Sequence, residues 1–355
     1  MGQNIVEGIE TIKDVIAGRK FLLVRDSAYD FLDIKRFFDD YPHVEFSGFT
    51  PNPLYEQVCR GVELFNRQDC EMIVAVGGGS TIDVAKCIKL YCKMDGDVNY
   101  LTQELSDSGI PLIAIPTTAG TGSESTRHAV IYYEGVKQSI SHASIVPDYA
   151  VLEPSVLKTL PVYQKKCTML DALCQAIESW WSVNSNDESI GYSKRAMQMI
   201  KENWEAYIYK NTDESAGKIM TAANYAGRAI NITATTAAHA MSYKLTSLYE
   251  LPHGHAVAIC MPKVWEYMLE HPEECIDARG EKAFLDTMKD IASIISLDDF
   301  KKMMEKLELL APISCEKDKD LDILTASVNP VRLKNNPVAL SSEVLKDMYR
   351  RIVRQ

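Results

Sequence analysis

The stretch IVAVGGGSTIDVAK, residues 73–86, joins an apolar run to a helix-like run through three consecutive glycines. A short apolar run is typical of a buried strand, and Ser80 and Thr81 are typical of a helix start. Glycines let the backbone approach a ligand closely, and the exposed N–H groups at a helix start bind phosphate. The stretch therefore predicts a strand, a phosphate-binding turn and a helix, with a purely structural turn as the alternative.

The same alternation of strand and helix extends on both sides of this stretch. Strands separated by helices form parallel sheets. The pattern therefore predicts a Rossmann-like α/β domain over residues 1–160. A second loop in it, IPTTAGTGSEST (115–126), follows a strand and adds small and hydroxyl residues to the same nucleotide-binding edge. The predicted strands are 20–26, 71–76, 111–116, 128–134, 136–142 and 149–153, and the predicted helices are 53–68 and 80–92.

From residue 161 the sequence changes character. Segments rich in alanine, methionine, leucine, glutamate and lysine have helical periodicity at 162–181, 187–208, 214–230 and 256–269. We therefore expect an all-helical (all-α) domain over residues 161–355.

Charge and cysteine content narrow the class of protein. The formal net charge of -11 opposes binding to nucleic acid or to an anionic membrane, because both need a basic surface. Nine cysteines without a C-x-x-C pair indicate reduced thiols, and the sequence has no signal-peptide pattern and no long apolar segment. The sequence predicts a cytoplasmic protein that binds a small molecule.

Two segments of the helical half carry candidate metal ligands. In MLDALCQAIESWW (169–181), Asp171 and Gln175 stand one helical turn apart, which suits either a metal-binding face or a hydrogen-bonded structural pair. In AAHAMSYKLTSLYELPHGHA (237–256), three of the seven histidines occur close together, at His239, His253 and His255. Such clustering favours a metal or acid–base site over isolated packed histidines.

The motifs GGGSTIDVAK, PTTAGTGSE, DALCQAIE and LPHG, with the spacing H-x13-H-G, together resemble the iron-containing (group III) alcohol dehydrogenase family. The resemblance runs over nearly the whole chain and includes TPNP at 50–53. It implies the two-domain fold shared with dehydroquinate synthase, a nicotinamide cofactor (NADH or NADPH) on the first domain and a divalent metal on the second. The candidate cofactor-binding residues are Asp26, Gly77, Gly78, Gly79, Ser80, Asp83, Thr117, Thr118, Thr121 and Ser123.

The family holds its metal with one aspartate and three histidines. Asp171, His239 and His253 match three of these ligands, whereas Gln175 occupies the place of the remaining histidine and offers a carbonyl oxygen. Such a set favours Fe²⁺ or Mn²⁺, and its imidazoles also suit Zn²⁺ and Ni²⁺. Asp26 ends a predicted strand where its carboxylate accepts hydrogen bonds from a ribose, which favours NADH, and the adjacent Arg25 keeps NADPH open.

Three further segments, DALCQAIESWWSVNS, AMSYKLTSLYELPHGHAVA and SVNPVRLKNNP, resemble one branch of the family, the phosphonoacetaldehyde reductases. This resemblance implies reduction of phosphonoacetaldehyde to 2-hydroxyethylphosphonate. Lys244 is the favoured partner of the phosphonate, with Arg127 and Arg332 as further candidates. Tyr243, where many family members have another histidine, and His255 are candidate proton donors, although Tyr243 suits a packing role equally.

Other functions fit parts of the same pattern. They are reduction of another short-chain aldehyde, a lyase reaction of the dehydroquinate synthase type, and a metal-free binding protein. The family resemblance also implies a homodimer.

Overall fold

The computed structural model of the protein describes residues 2–314 and 316–354. The chain divides into two compact units, which are Met1–Leu160 with Asn211–Met220, and Pro161–Lys210 with Thr221–Gln355. Within the first unit, Lys158 forms an ion pair of 2.7 Å with Asp213 of the segment Asn211–Met220. The expected division of the chain into domains 1–160 and 161–355 stays a prediction.

The first unit contains a mostly parallel arrangement of strands. Six strands form one sheet in the order β1-β8-β5-β4-β2-β3, in which every neighbouring pair is parallel, and β6 and β7 form an antiparallel hairpin. All residues of β4 and β5 are buried, as strands covered on both faces require. The predicted parallel α/β fold is confirmed. The strands are β1 Asn4–Glu7, β2 Phe21–Arg25, β3 His43–Phe46, β4 Met72–Gly77, β5 Leu112–Pro116, β6 His128–Tyr133, β7 Val136–Ser141 and β8 Tyr149–Leu152.

The α-helices that precede Pro161 include both predicted ones. They are α1 Lys13–Ile16, α2 Lys35–Phe38, α3 Tyr55–Arg67 and α4 Gly79–Tyr91. In the sheet, Arg25 of β2 pairs with Val76 of β4, and Gly77 pairs with Pro116 of β5. The carboxyl ends of β2, β4 and β5 therefore lie side by side. The residues that follow these three strands meet at one edge, as expected for a nucleotide-binding sheet.

Beyond Pro161 the described residues are almost entirely helical, which confirms the predicted helical half. Helix α5 packs against α6 and α9 and is buried along most of its length, so its polar side chains are withdrawn from water. A π-helical turn at Ala206–Lys210 follows α6. No helix among the described residues is both long and apolar enough to span a membrane. The helices are α5 Val162–Trp181, α6 Asp187–Glu205, α7 Asp213–Thr233, α8 Ala237–Tyr249, α9 His253–Glu270, α10 Glu281–Ile294, α11 Leu297–Leu307, α12 Lys317–Ser327, α13 Pro330–Leu333 and α14 Ser342–Ile352.

Candidate active site

The glycine loop lies between β4 and α4, and two of its three glycines are required by packing. A Cβ atom on Gly77 would lie 2.3 Å from Oγ1 of Thr81, and one on Gly79 would lie 2.9 Å from Oγ1 of Thr121. Gly78 has more room, because its Cβ would meet Thr118 at an ordinary 3.6 Å. The tight turn and the exposed start of α4 are both present, so the structural and the phosphate-binding interpretations of this loop are compatible.

Asp26 organises the glycine loop from the end of β2. Its Oδ2 accepts hydrogen bonds from the Gly78 N–H (3.3 Å) and the Thr81 hydroxyl (3.1 Å). The neighbouring Arg25 is paired with Asp30 at 3.1 Å and Glu45 at 2.8 Å. Because two carboxylates already neutralise Arg25, this geometry gives less support to NADPH than to NADH.

A buried polar network joins α4 to the second loop. The Ser123 hydroxyl donates to Oδ1 of Asp83 at 2.6 Å, and the Val130 N–H donates to Oδ2 at 2.9 Å. Nζ of Lys86 donates to Ser123 at 3.0 Å and to the His128 carbonyl at 2.8 Å. Burial lowers the pKa of Lys86 to about 8 and raises the pKa of Asp83. Asp83 and Ser123 thus fix the loop, and direct contact of either with a cofactor stays a prediction.

The remaining predicted cofactor residues differ in exposure. Thr117 is buried directly after β5, and its N–H donates to the carbonyl of Gly77 at 3.0 Å. The partly exposed members are the ones that a ligand can reach without rearrangement of the loops. They are Gly78, Gly79, Ser80, Thr118 and Thr121.

In the helical unit, three predicted metal ligands converge. Helix α5 carries Asp171, α8 carries His239, and α9 begins with His253. Oδ1 of Asp171 lies 3.2 Å from Nε2 of His239 and 4.0 Å from Nε2 of His253. One ligand atom from each residue lies within 4.8 Å of the others. This spacing allows one ion to contact all three side chains.

Gly254 explains how His253 comes close to α5. A Cβ atom at this position would lie 2.0 Å from the Cys167 carbonyl oxygen and 2.9 Å from Cβ of Asp171. Only glycine therefore lets the first turn of α9 rest against the backbone of α5. The Pro-His-Gly sequence thus has a steric role beside the cluster as well as supplying a candidate ligand.

Glu178, which the sequence analysis missed, holds His239 in place. Its Oε1 accepts hydrogen bonds from the Thr236 hydroxyl (2.8 Å) and the Ala238 N–H (2.9 Å), and its Oε2 accepts one from Nδ1 of His239. With the Nδ1 proton held there, Nε2 faces Asp171 and is the nitrogen left to bind a metal. A signal was present in the sequence: Glu178 follows Asp171 by seven positions and so lies on the same face of α5.

The electrostatics of the cluster suit a cation. Burial disfavours the imidazolium form of His239, but the carboxylates of Glu178 and Asp171 outweigh it and raise the pKa of His239 to about 9. Burial also opposes ionisation of Asp171, yet its hydrogen bond from His239, the charge of His253 and a hydrogen bond from Gln175 lower its pKa overall. One carboxylate and two imidazoles, with an amide beside them, form a donor set that fits Fe²⁺, Mn²⁺, Zn²⁺ or Ni²⁺.

Tyr243 and Arg332 lie next to this cluster. The ring of Tyr243 stacks on that of His253, with centroids 5.6 Å apart and planes 8° apart. Cζ of Arg332 lies 5.2 Å from the centroid of the Tyr243 ring. Burial raises the pKa of Tyr243, and the charge of Arg332 opposes that rise. Helical geometry places Lys244 about 100° further around α8 than Tyr243, away from this stack.

His255, a predicted proton donor, and Arg127, a predicted partner of the phosphonate, lie in positions less suited to these roles. His255 is buried, with Nε2 2.9 Å from the Leu310 carbonyl and Nδ1 2.8 Å from the Tyr163 hydroxyl. Both ring nitrogens are therefore hydrogen-bonded inside the helical unit, and burial lowers the pKa of His255. This arrangement does not favour the predicted proton relay through His255. Arg127 is exposed on the first unit.

Comparison with known proteins places the chain in a family. Its residues 2–154 match the model described as "Iron-containing alcohol dehydrogenase", and residues 165–353 match "Fe-containing alcohol dehydrogenase family, C-terminal". Alcohol dehydrogenase 4 of Saccharomyces cerevisiae is 34% identical over 63% of this chain and 60% of its own length. The 1,3-propanediol dehydrogenase of Citrobacter freundii is 31% identical over 76% of this chain and 68% of its own.

A solved structure has the same fold. It is the sulfoacetaldehyde reductase from Bifidobacterium kashiwanohense in complex with NAD⁺, which is 24% identical, with a TM-score of 0.87 over 99% of this chain and 96% of that one. The match to the yeast relative spans less than two thirds of that relative's length. The family models nevertheless cover most of the chain, and the predicted motifs fall within them. The chain belongs to the iron-containing alcohol dehydrogenase family.

Proposed function

We propose that the protein catalyses the NAD(P)H-dependent, metal-assisted reduction of an aldehyde to a primary alcohol. The observation that carries this proposal is the convergence of Asp171, His239 and His253, whose ligand atoms lie within 4.8 Å of one another. The proposal takes NADH as the favoured cofactor and Fe²⁺ as the favoured metal. The homodimer and the cytoplasmic location expected from the sequence are part of it.

Each part of the chain has a distinct task in this reaction. Asp171, His239 and His253 would hold the metal, with Gln175 as a fourth ligand and Glu178 orienting His239. When bound, the metal supplies a Lewis acid for the carbonyl oxygen and the reduced nicotinamide supplies the hydride. The exposed N–H groups at the start of α4 would bind the cofactor's pyrophosphate.

The product alkoxide needs a proton. Tyr243 is the better placed of the two predicted donors, because its ring stacks directly on His253 whereas both nitrogens of His255 are engaged elsewhere. Its raised pKa keeps the phenol protonated at neutral pH, as a donor requires. Replacement of Tyr243 by phenylalanine is then expected to lower kcat more than it changes KM.

We further propose phosphonoacetaldehyde as the substrate, with 2-hydroxyethylphosphonate as the product. The sequence segments shared with the phosphonoacetaldehyde reductase branch support this choice. A positively charged side chain beside the cluster, Arg332, agrees with an anionic substrate. The reductase of similar fold from Bifidobacterium kashiwanohense is named for sulfoacetaldehyde, another two-carbon aldehyde with a tetrahedral anionic group.

A second candidate is the reduction of a neutral short-chain aldehyde. The 31% identical relative from Citrobacter freundii is a 1,3-propanediol dehydrogenase, whose named substrate carries no charge. The two candidates share all the chemistry at the carbonyl group. They differ only in what binds the far end of the substrate.

One assay tests both the reaction and the substrate. The protein is stripped of metal, reloaded with Fe²⁺, Mn²⁺, Zn²⁺ or Ni²⁺, and NADH oxidation is followed with phosphonoacetaldehyde and with propionaldehyde. We expect metal-dependent turnover with a higher kcat/KM for phosphonoacetaldehyde. A higher kcat/KM for propionaldehyde would replace the proposed substrate by the second candidate. No turnover with any of the four metals would refute the reductase function.

A further inference from the structure

Among residues 2–314 and 316–354, Arg332 has no carboxylate partner, and it lies beside the candidate metal cluster. In the described part of the chain its guanidinium forms no ion pair, and it lies over the ring of Tyr243. Two other arginines of the same unit are neutralised: Arg279 pairs with Asp277 at 2.6 Å, and Arg351 pairs with Glu266 at 2.9 Å. Arg195 and Arg228 also lie over tyrosine rings, but on α6 and α7. In a chain of net charge -11, a partly buried arginine with no carboxylate is available to bind an anion.

The segment that carries Arg332 is fixed to the helices around the cluster. The side chain of Asn335 donates to the carbonyl of Thr235 at 3.2 Å, and its own Oδ1 accepts from Asn184 at 3.0 Å. The Val183 N–H donates to the Asn335 carbonyl at 3.1 Å. These hydrogen bonds fix α13 and its C-terminal residues against the segments that follow α5 and precede α8. The backbone segment that carries Arg332 is therefore held in place by these hydrogen bonds.

Tyr243 connects the arginine with the cluster. Its ring stacks on His253 and also lies under the guanidinium of Arg332. A cation over an aromatic face is attracted to it and keeps its hydrogen-bond donors available at its edges. A two-carbon aldehyde whose carbonyl group lies at His253 would carry its far end toward the neighbouring side chains of this stack.

We infer that Arg332 is the specificity-determining residue that binds the tetrahedral anionic group of the substrate, with Tyr243 holding the guanidinium in position. The inference rests on the proposed aldehyde reduction. A phosphonate and a sulfonate share the chemistry that a guanidinium recognises, because both present several oxygens to its planar set of donors. Lys244, favoured by the sequence alone, lies off the face of α8 that carries His239 and Tyr243.

The test compares Arg332→Gln with Lys334→Gln, a matched loss of positive charge at an exposed position two residues away. For each protein, kcat/KM is measured with phosphonoacetaldehyde, sulfoacetaldehyde and propionaldehyde. We expect Arg332→Gln to lower the ratio of anionic to neutral kcat/KM about 10- to 100-fold, the effect of losing hydrogen bonds to a charged group. Lys334→Gln should leave the ratio unchanged, and Arg332→Lys should restore part of it.

Several outcomes would overturn the inference. They are an equal loss with propionaldehyde, an equal fall in the ratio for Lys334→Gln, or, when Lys244→Gln is measured in the same way, a fall confined to that variant. A loss of the phosphonate preference but not of the sulfonate preference, or the reverse, identifies which anion the pocket serves and supports the role of Arg332.

A binding measurement separates this inference from the proposed function. If the wild-type protein reduces no aldehyde, the reductase proposal fails, and binding of 2-hydroxyethylphosphonate followed by ³¹P NMR still tests Arg332. Binding at least tenfold weaker to Arg332→Gln than to the wild-type protein and to Lys334→Gln would support the inference. Equal binding to all three, or no binding to any of them, would refute it.

Discussion

Replacement of Glu178 by glutamine should weaken metal binding without removing a metal ligand. Glu178 accepts hydrogen bonds at both oxygens, at Oε1 from Thr236 and Ala238 and at Oε2 from Nδ1 of His239. Glutamine has only one acceptor oxygen. If that oxygen serves Thr236 and Ala238, the amide NH₂ faces His239 and drives its proton from Nδ1 to Nε2. The nitrogen that faces Asp171 would then carry a proton and could not bind a metal.

The size of the expected loss of metal affinity follows from the role of Glu178 as the hydrogen-bond partner of a metal-binding histidine. Changing the partner of a metal-binding histidine lowers metal affinity about 10- to 100-fold, which equals roughly 1.4 to 2.7 kcal/mol. The measurement is a chelator competition with Fe²⁺ or Zn²⁺, accompanied by urea unfolding of the metal-free proteins. Glu266→Gln is the control, because Glu266 pairs with Lys301 at 2.7 Å and lies outside the cluster. Unchanged metal affinity in Glu178→Gln, or an equal loss in the control, would refute the reasoning.

Three other substitutions test the metal site, the packing of α9 against α5 and the buried Lys86. Gln175→His should retain metal about tenfold more strongly against a chelator, because imidazole binds these metals more strongly than a neutral amide oxygen does; equal retention would argue against Gln175 as a ligand. Gly254→Ala should lower the free energy of unfolding by about 1–3 kcal/mol, since its Cβ would lie 2.0 Å from a backbone oxygen. Gly191→Ala, with nothing within 4 Å, is its control, and equal unfolding midpoints would contradict the prediction. Burial lowers the pKa of Lys86 from 10.5 to about 8, so between these pH values the unfolded chain binds more protons than the folded one. The free energy of unfolding in urea should therefore rise from pH 8 to pH 10.5 in the wild-type protein relative to Lys86→Gln. A difference in unfolding free energy between the two proteins that stays constant over this range would count against the lowered pKa of Lys86.

The sequence was sufficient for the fold because its strongest patterns are local. The buried strand and the glycine turn at 73–86 determine a strand–turn–helix unit wherever it occurs, and continuous apolar runs require a sheet covered on both faces. The weaker strands β1 and β3 escaped prediction. Both lie at the edges of the sheet, where partial exposure leaves no continuous apolar run to detect.

The sequence predicted only those parts of the candidate site in which the spacing of residues along a helix places their side chains on one face. Asp171 and Gln175 share a face of α5 by helical periodicity, and that periodicity also extends to Glu178. The proximity of Arg332 to Tyr243 has no such signal, because it depends on how α13 packs near α8. Nor does the sequence show that a tyrosine and a backbone carbonyl occupy both nitrogens of His255. These contacts join residues far apart in the chain, which local patterns do not determine.

The departures from the family pattern have a common electrostatic consequence. At positions 175 and 243, where the family resemblance implies histidines, this chain has glutamine and tyrosine. Both replacements place a side chain there that is neutral near pH 7. Arg332, in contrast, supplies a positive charge on a planar set of hydrogen-bond donors. The positive charge thus lies next to the ring that stacks on His253, which suits a substrate with an anionic group. A neutral aldehyde would gain nothing from this charge, so Arg332 over the ring of Tyr243 favours an anionic substrate.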